Sequence, residues 1–240
     1  MNTISLAAIS AIAGCLLLSG PAGAGDQAER VVFGFSPDGR YFAFEQFGRL
    51  DGSGFPYADI FVVDTGDDSW VPGTPVTVRI DNELADVKWA RREAMTKAGN
   101  LLKKLVIAQP GRILASNPPS ELSADPHQVV VNASVAVPPV EEAWTFSLSE
   151  HPLSAKHCEG IADTKGFRLV AGKKGGAPAV WHADKSLPES RGCPLRYAIS
   201  DVIVHDGADT SRVFAILISV FSFGFEGPDR RFLAVTGRAR

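Results

Sequence analysis

The sequence predicts a mainly β fold of the α+β class, with antiparallel strands in a sandwich-like or partial-propeller-like core and one long amphipathic helix near residues 81–106. Three observations predict it. Short apolar and aromatic runs alternate with turn sequences, one segment alone has a helical period, and one run of strand length is apolar on both alternating faces. The composition is that of a folded globular chain, because 45% of the residues are hydrophobic and 21% are charged.

The N-terminal part reads as strands joined by turns. Apolar or aromatic runs over residues 31–35, 40–47 and 60–63 are the strand candidates. Between the first two lies Ser36-Pro37-Asp38-Gly39, in which Pro37 presets φ, Asp38 can accept hydrogen bonds from nearby amides and Gly39 tolerates a positive φ. We therefore assign Pro37 and Gly39 as structural turn residues.

The helix is predicted from apolar residues at spacings of three and four. Asp81 is the candidate N-cap, and Lys103 and Lys104 in the last turn complement the helix dipole. The members of the apolar stripe are Leu84, Val87, Ala94, Met95, Ala98, Leu101, Leu102 and Leu105. This stripe predicts a helix with one buried face and one solvated face.

The remaining segments are predicted as strands. The six prolines of residues 109–140 exclude a helix there and leave short extended pieces, the best at 129–137. Further candidates are 145–148, 167–171, 180–181, 197–204 and 232–235. Residues 212–223 are apolar on both alternating faces, which predicts a central strand buried on both sides.

The first 24 residues are interpreted as a secretory signal peptide. Residues 4–18 are almost wholly apolar or small, and Ala22-Gly23-Ala24 forms a small-residue cleavage site. Cleavage after Ala24 leaves one secreted, periplasmic domain over residues 25–240, with no integral membrane span in the mature chain. The alternative is a lipoprotein anchored through Cys15.

Cys158 and Cys193 remain after this cleavage, and we expect them to form a disulfide in an oxidising compartment, which would stabilise the fold by about 3–4 kcal/mol. A metal pair and two free thiols are the alternatives. His151, His157 and His182 lie near Cys158 or further along the chain, but their spacing matches no structural zinc site. We therefore expect no metal ion and no cofactor.

The two ends of the chain resemble each other. Phe-Gly-Phe followed by Pro-Asp and a further aromatic residue occurs over residues 33–43 and again over residues 223–234. Pro228 and Asp229 in the second copy correspond to Pro37 and Asp38 in the first. Because aromatic side chains dominate core burial, we expect the two strand–turn–strand units to pack together.

Two family resemblances follow from these motifs. Residues 35–44, 59–64 and Trp70 resemble one blade repeat of the periplasmic TolB-type β-propellers, although the middle of the chain shows no repeat. Nearly all of the mature chain is similar to a bacterial family of predicted secreted proteins of unknown function. That similarity rests on the ordered motifs at residues 34–39 with 51–56, 187–194 and 224–229. It implies export, and it implies no catalytic residue.

The candidate binding residues are four acids in the aromatic and glycine-rich N-terminal segment: Asp38, Glu45, Asp51 and Asp59. If their loops converge, carboxylates beside aromatic side chains form a cleft for calcium or a sugar. Turns rich in Asp and Gly also need no ligand to explain them. Glu45 is the most informative, because an acid within an aromatic strand must be at an edge, paired or in a site.

These observations predict a non-catalytic binding or envelope-interaction module whose partner is an envelope protein or a small ligand. Nucleic acid is excluded as a partner by the net charge of −3. The alternative is a secreted hydrolase that uses Glu45 with Asp51 or Asp59, provided that the two carboxyl groups lie about 5–9 Å apart.

Overall fold

The computed structural model describes residues 25–207 and 212–239. The predicted signal peptide, with Cys15 and the cleavage position after Ala24, lies outside these ranges. Within them, no helix is both long enough and apolar enough to cross a membrane.

The described residues form three antiparallel sheets and one α-helix, which confirms the mainly β prediction. The N-terminal sheet contains β1 (Glu29–Phe35), β2 (Tyr41–Arg49), β3 (Pro56–Asp64), β4 (Ser69–Trp70) and β5 (Val76–Arg79). The central sheet contains β6 (Arg112–Ser116), β11 (Pro194–Asp206), β12 (Arg212–Ser222) and β13 (Asp229–Ala239). The distal sheet contains β7 (Gln128–Val131), β8 (Trp144–Pro152), β9 (Lys165–Lys173) and β10 (Ala179–Ala183).

Strand order explains how the sheets stack. The central sheet runs β13-β12-β11-β6, the distal sheet β10-β9-β8-β7, and the N-terminal sheet β1-β2-β3-β4 with β5 also on β3. Buried side chains join the central sheet to the distal sheet on one face and to the N-terminal sheet on the other. The fold is thus a sandwich of three layers, and the described strands close no propeller.

The central strand β12 belongs to both cores, as the apolar run over residues 212–223 predicts. Phe214 and Ile216 point into the core shared with the distal sheet. Ala215 and Leu217 point into the core shared with the N-terminal sheet. All four side chains are fully buried, and β12 is paired on both edges by β11 and β13.

The two similar chain ends share the second of these cores. Phe35 and Phe42 of the first hairpin lie in the same cluster as Phe232 of the β12–β13 hairpin. The rings of Phe35 and Phe42 lie 4.8 Å apart between centroids, within the range of favourable aromatic pairs. One packing contact between the two sheets therefore accounts for Phe35, Phe42 and Phe232, as the similarity of the two ends predicts.

The helix α1 spans Val87–Lys104 and begins later than the sequence predicts. Asp86 rather than Asp81 is its N-cap, with the Asp86 carboxylate accepting a hydrogen bond from the Lys88 amide. Asp81 instead pairs with Arg79, and the side chain of Asn82 accepts from the amide of Leu84 to form a turn. Such local side-chain bonds compete with helix formation, which delays its start.

The buried face of α1 is made of alanines. Ala90, Ala94 and Ala98 pack on the outer face of the N-terminal sheet. The predicted stripe is wrong at Leu84 and Met95, which are 87% and 39% exposed. Small side chains let the helix backbone approach the sheet closely, so larger apolar residues lie at its margins.

The predicted disulfide between Cys158 and Cys193 is present, with a Cα–Cα distance of 5.6 Å. It joins a 3-10 turn at Lys156–Cys158 to the segment that enters β11. Ala155 and Leu187 are buried beside it in a small apolar cluster separate from the two main cores. The disulfide fixes loops that the sheets do not hold.

The close approach of α1 predicts that Ala94→Leu is destabilising. Ala94 is fully buried against the sheet, so the added atoms must displace the helix or the strand side chains. We expect a loss of about 1–3 kcal/mol in the free energy of unfolding, measured by urea denaturation. Thr96→Leu on the exposed face of the same helix is the matched control; equal effects of the two changes would contradict the packing described.

Candidate binding surface at the acidic–aromatic end

The structure distributes the predicted site residues over four places. Asp38, with Pro37 and Gly39, lies in the β1–β2 turn. Glu45 lies in the middle of β2 and faces α1. Asp51, Pro228 and Asp229 lie at one end of the stack, where the β2–β3 loop meets the β12–β13 loop, and Asp59 lies on β3.

Asp38 has a structural role in its turn. Its carboxylate accepts hydrogen bonds from the Ser36 hydroxyl at 2.6 Å and from the amide two residues later at 3.0 Å. These bonds hold the pKa of Asp38 below its usual range. Gly39 has φ +67°, and a His205 ring nitrogen lies 3.2 Å from the Pro37 carbonyl oxygen. The turn thereby packs on the central sheet.

Glu45 is buried and paired. It is 2% exposed, and both of its oxygens accept hydrogen bonds from the guanidinium of Arg91 on α1, at 2.8–3.1 Å. The Arg91 guanidinium also lies 3.8 Å from the centroid of the Phe47 ring, and its hydrogen bond to Glu45 raises its pKa. Of the three possibilities for an acid in this strand, pairing is the one observed.

The structure separates the carboxylates proposed as a hydrolytic pair. In the β2–β3 register Glu45 is opposite Ile60 and Gln46 is opposite Asp59, so Glu45 and Asp59 point to opposite faces of the sheet. Asp51 lies beyond the end of β2 at Arg49, which is already about 13 Å along the strand from Glu45 at the usual rise. Neither pair has the geometry of glycoside hydrolysis.

The acidic–aromatic end consists of Asp51, Phe223, Phe225, Glu226 and Asp229, and it contains two of the predicted residues, Asp51 and Asp229. Phe225 is 88% exposed and Phe223 is 53% exposed on the β12–β13 loop. The Asp51 carboxylate accepts a hydrogen bond from the Glu226 amide at 2.8 Å and so ties the two loops together. Two large apolar rings are therefore presented beside three carboxyl groups.

Glycines fix the shape of this loop. A Cβ on Gly224 would lie 2.3 Å from the Gly227 carbonyl oxygen and 2.8 Å from a carboxylate oxygen of Asp229. No side chain fits at that distance, so only glycine permits the tight turn. The two phenylalanines on either side of Gly224 are displayed by a constrained loop rather than by a long open one.

A buried polar group supports the acidic–aromatic end from behind. Asp26 pairs with Arg231 and accepts a hydrogen bond from the Tyr57 hydroxyl at 3.3 Å, and its amide donates to Asp229 at 2.8 Å. The Arg231 guanidinium lies 4.5 Å from the centroid of the Tyr57 ring. Burial raises the pKa of Asp26 to about 6 and raises that of Tyr57, which keeps its hydroxyl protonated as a donor.

Asp59 belongs to the same polar layer. Its carboxylate accepts a hydrogen bond from the Gln46 side chain at 3.0 Å, while the Gln46 carbonyl oxygen accepts from the Phe232 amide at 2.8 Å. Burial raises the pKa of Asp59. The contact joins the N-terminal sheet to the central sheet, so Asp59 stabilises the stack and does not line an open cleft.

A second polar cluster joins all three sheets and was missed by sequence reasoning. Asp68, at φ +54°, accepts hydrogen bonds from the Thr236 amide and hydroxyl at 2.7 and 2.9 Å. One ring nitrogen of His182 on the distal sheet lies 4.0 Å from Asp68, and the other lies 2.9 Å from Asp184. In the sequence Asp68 stands in a polar run, Thr65-Gly66-Asp67-Asp68, that is typical of a hairpin tip, and no local pattern indicates a partner 168 residues away.

One group of metal-ligating side chains is present in the described ranges. The candidate ligand atoms of His157, Cys158 and Cys193 all lie within 4.8 Å of one another. The two sulfurs are bonded to each other, so they are not free to ligate in this form. His151 and His182, which the sequence also suggested, do not join the group.

The comparisons with known proteins give one match. Residues 43–238 match the family described as predicted secreted protein (DUF2259). The match includes α1 and every residue of the acidic–aromatic end. No curated protein and no solved structure matches the chain significantly, and the likeness to a TolB-type blade is not shown.

The pairing of Glu45 predicts that Arg91→Met is strongly destabilising. The change leaves a carboxylate that is 2% exposed without its partner. We expect a loss of about 2–4 kcal/mol in the free energy of unfolding. Adding Glu45→Gln should recover part of it by removing the unpaired charge, and exposed Arg92→Met is the control. An unchanged stability of Arg91→Met would show that the pair has no structural role.

The burial of Asp68 predicts a pH dependence of stability. Its folded pKa is about 6 against an ordinary value of 3.8, so the stability due to its protonation is lost as pH rises from about 4 through 6. Lowering the pH from 7 to 5 should therefore add about 1 kcal/mol through this carboxyl group.

Urea denaturation at both pH values tests this dependence. Asp68→Asn keeps an oxygen that can accept from Thr236 and should lack the increment, whereas exposed Asp67→Asn should keep it. The same pH response in the wild type and in Asp68→Asn would refute the assignment.

Proposed function

This chain belongs to the DUF2259 family of predicted secreted proteins, and we propose that it is a non-catalytic binding module of the periplasm, exported with cleavage after Ala24. Its binding surface is the acidic–aromatic end. The partner is an envelope protein with an apolar pocket for the two phenylalanine rings and basic groups at the rim of that pocket.

The single observation that supports this function best is the exposure of Phe223 and Phe225 on a constrained loop. Burying large aromatic side chains against a partner removes much apolar surface from water, and phenylalanine is among the residues enriched in the cores of interfaces. A loop that is already ordered loses less conformational entropy on binding. The carboxyl groups of Asp51 and Glu226 beside the rings favour a partner with positive charge.

The hydrogen-bond partners of the other acids argue against hydrolysis. Glu45 is held by Arg91, and Asp59 is held by Gln46. Asp38 caps its own turn. Each of these carboxylates stabilises the fold. Of the two carboxylate pairs considered for hydrolysis, Glu45 and Asp59 lie on opposite faces of the sheet, and Glu45 and Asp51 are separated along β2.

Export is supported by the structure directly after the proposed cleavage position. Gly25 is buried, and a Cβ on it would lie 2.6 Å from the Pro228 carbonyl oxygen. Asp26 and Ala28 then exchange backbone hydrogen bonds with Arg230 on β13. The first residues of the mature chain are thus part of the fold, and the disulfide suits an oxidising compartment.

Site-specific photocrosslinking in the native envelope tests the proposal. A photoreactive residue at position 225 should give a discrete crosslinked protein, because the ring at that position is buried in the complex. The matched control is position 137, which is distant in sequence from the acidic–aromatic end and where Val137 is 96% exposed.

A double Phe223→Ser and Phe225→Ser variant should lose the complex while keeping its thermal stability, because both side chains are exposed in the free protein. The same crosslinks from positions 225 and 137, or a complex that survives the double substitution, would exclude the acidic–aromatic end as the binding surface.

A further inference from the structure

The disulfide lies beside a histidine in an arrangement that resembles a metal-ligand set. His157 and Cys158 are consecutive in the 3-10 turn at Lys156–Cys158, and Cys193 follows the short turn at Glu189–Arg191. A ring nitrogen of His157 lies 3.1 Å from the carbonyl oxygen of Gly192, which holds the imidazole over the segment that carries Cys193. The three candidate ligand atoms lie within 4.8 Å of one another.

We propose that two-electron reduction of the Cys158–Cys193 disulfide creates a soft-metal site in which Cys158, Cys193 and His157 bind Zn²⁺. A dithiol reductant supplies the two electrons and becomes a disulfide, while the protein disulfide takes up two protons and becomes two thiols. Zn²⁺ then displaces the two thiol protons and binds two thiolates and one neutral imidazole nitrogen. A disulfide oxidant that takes back the two electrons is itself reduced to a dithiol; the Cys158–Cys193 bond re-forms, both sulfur ligands are lost and the ion is released.

The distances suit zinc. Zn–S bonds of about 2.3 Å and Zn–N bonds of about 2.0–2.1 Å in a tetrahedron place ligand atoms about 3.5–3.8 Å from one another. The three atoms already lie within 4.8 Å, so small side-chain rotations bring them to this geometry. Cys158 lies in a 3-10 turn outside the three sheets, whereas Cys193 directly precedes β11 and its carbonyl oxygen accepts a hydrogen bond from the Phe223 amide at 2.9 Å, so the change of geometry comes from rotation of the side chains and not from backbone movement.

The surroundings favour a soft cation. Cys158 is 2% exposed, and Ala155 and Leu187 are buried against it. Thiolates in a site poor in water select zinc over hard cations such as calcium and magnesium. His157 is only partly buried, which gives the ion an entry path and leaves the fourth position for water or an external ligand.

Cobalt binding to the full mature chain tests the proposal, because Co²⁺ replaces Zn²⁺ and reports thiolate ligation by its charge-transfer absorption. Under inert gas, the reduced protein should bind one equivalent of Co²⁺ with that absorption, and the oxidised protein should not. Added Zn²⁺ should abolish the signal by competition. Equal spectra for the reduced and oxidised proteins would overturn the proposal.

Variants identify the ligands. Loss of an outer-shell partner of a metal ligand weakens metal binding by about 10–100-fold. His157→Ala removes a ligand itself, so it should weaken Co²⁺ binding by more than that. His151→Ala changes a nearby histidine outside the group and should bind like the wild type. Wild-type affinity in His157→Ala would overturn the assignment of the imidazole.

Folding is followed in the same samples by near-ultraviolet circular dichroism. The Cys158→Ser and Cys193→Ser double variant should bind no Co²⁺ while giving the signal of the reduced protein. If reduction alone diminishes the wild-type signal, one equivalent of Zn²⁺ should restore it, because the metal rejoins the same two turns. A diminished signal that Zn²⁺ fails to restore would overturn the proposal.

Discussion

The architecture depends on one strand whose two faces are both apolar. Strand β12 can remove its side chains from water only if a sheet covers each face, so the chain must supply two further layers. The N-terminal strands cover one face and the distal sheet covers the other. Because β12 is also paired on both edges, every large element except α1 is anchored to it directly or through one sheet.

Polar contacts then determine how the layers align. Asp26 with Arg231, Gln46 with Phe232 and Asp68 with Thr236 all join the N-terminal sheet or the segment before it to β13. Hydrophobic burial is nearly indifferent to small displacements of one layer over another, whereas hydrogen bonds are directional. The acidic–aromatic end is therefore held at a defined position, because the hydrogen bonds and ion pair of Asp26 fix the start of β13 beneath its exposed rings.

Much of the fold is predictable from the sequence, because many of its elements are determined by residues that are close together in the chain. The two-faced run of β12, the proline-rich middle and the Ser36–Gly39 turn each act over a few residues. The start of α1 is not predictable in this way, because Asp81, Asn82 and Asp86 all carry side chains suited to capping. The partners of Glu45 and Asp68 are fixed by which faces the layers present to each other, and periodicity does not encode that choice. The exposure of Phe225 follows from the tight loop at Gly224. That loop depends on the close approach of Gly224 to the Gly227 carbonyl oxygen, and the sequence does not show this contact.

A native mass spectrum of the untagged protein, released from its own cell envelope without refolding, tests the binding function and the export together. We expect the mass of residues 25–240 with one disulfide, together with a second protein that dissociates on activation. The bare mature chain in every preparation would contradict the binding function. A lipid-sized addition on Cys15 would contradict export by cleavage after Ala24.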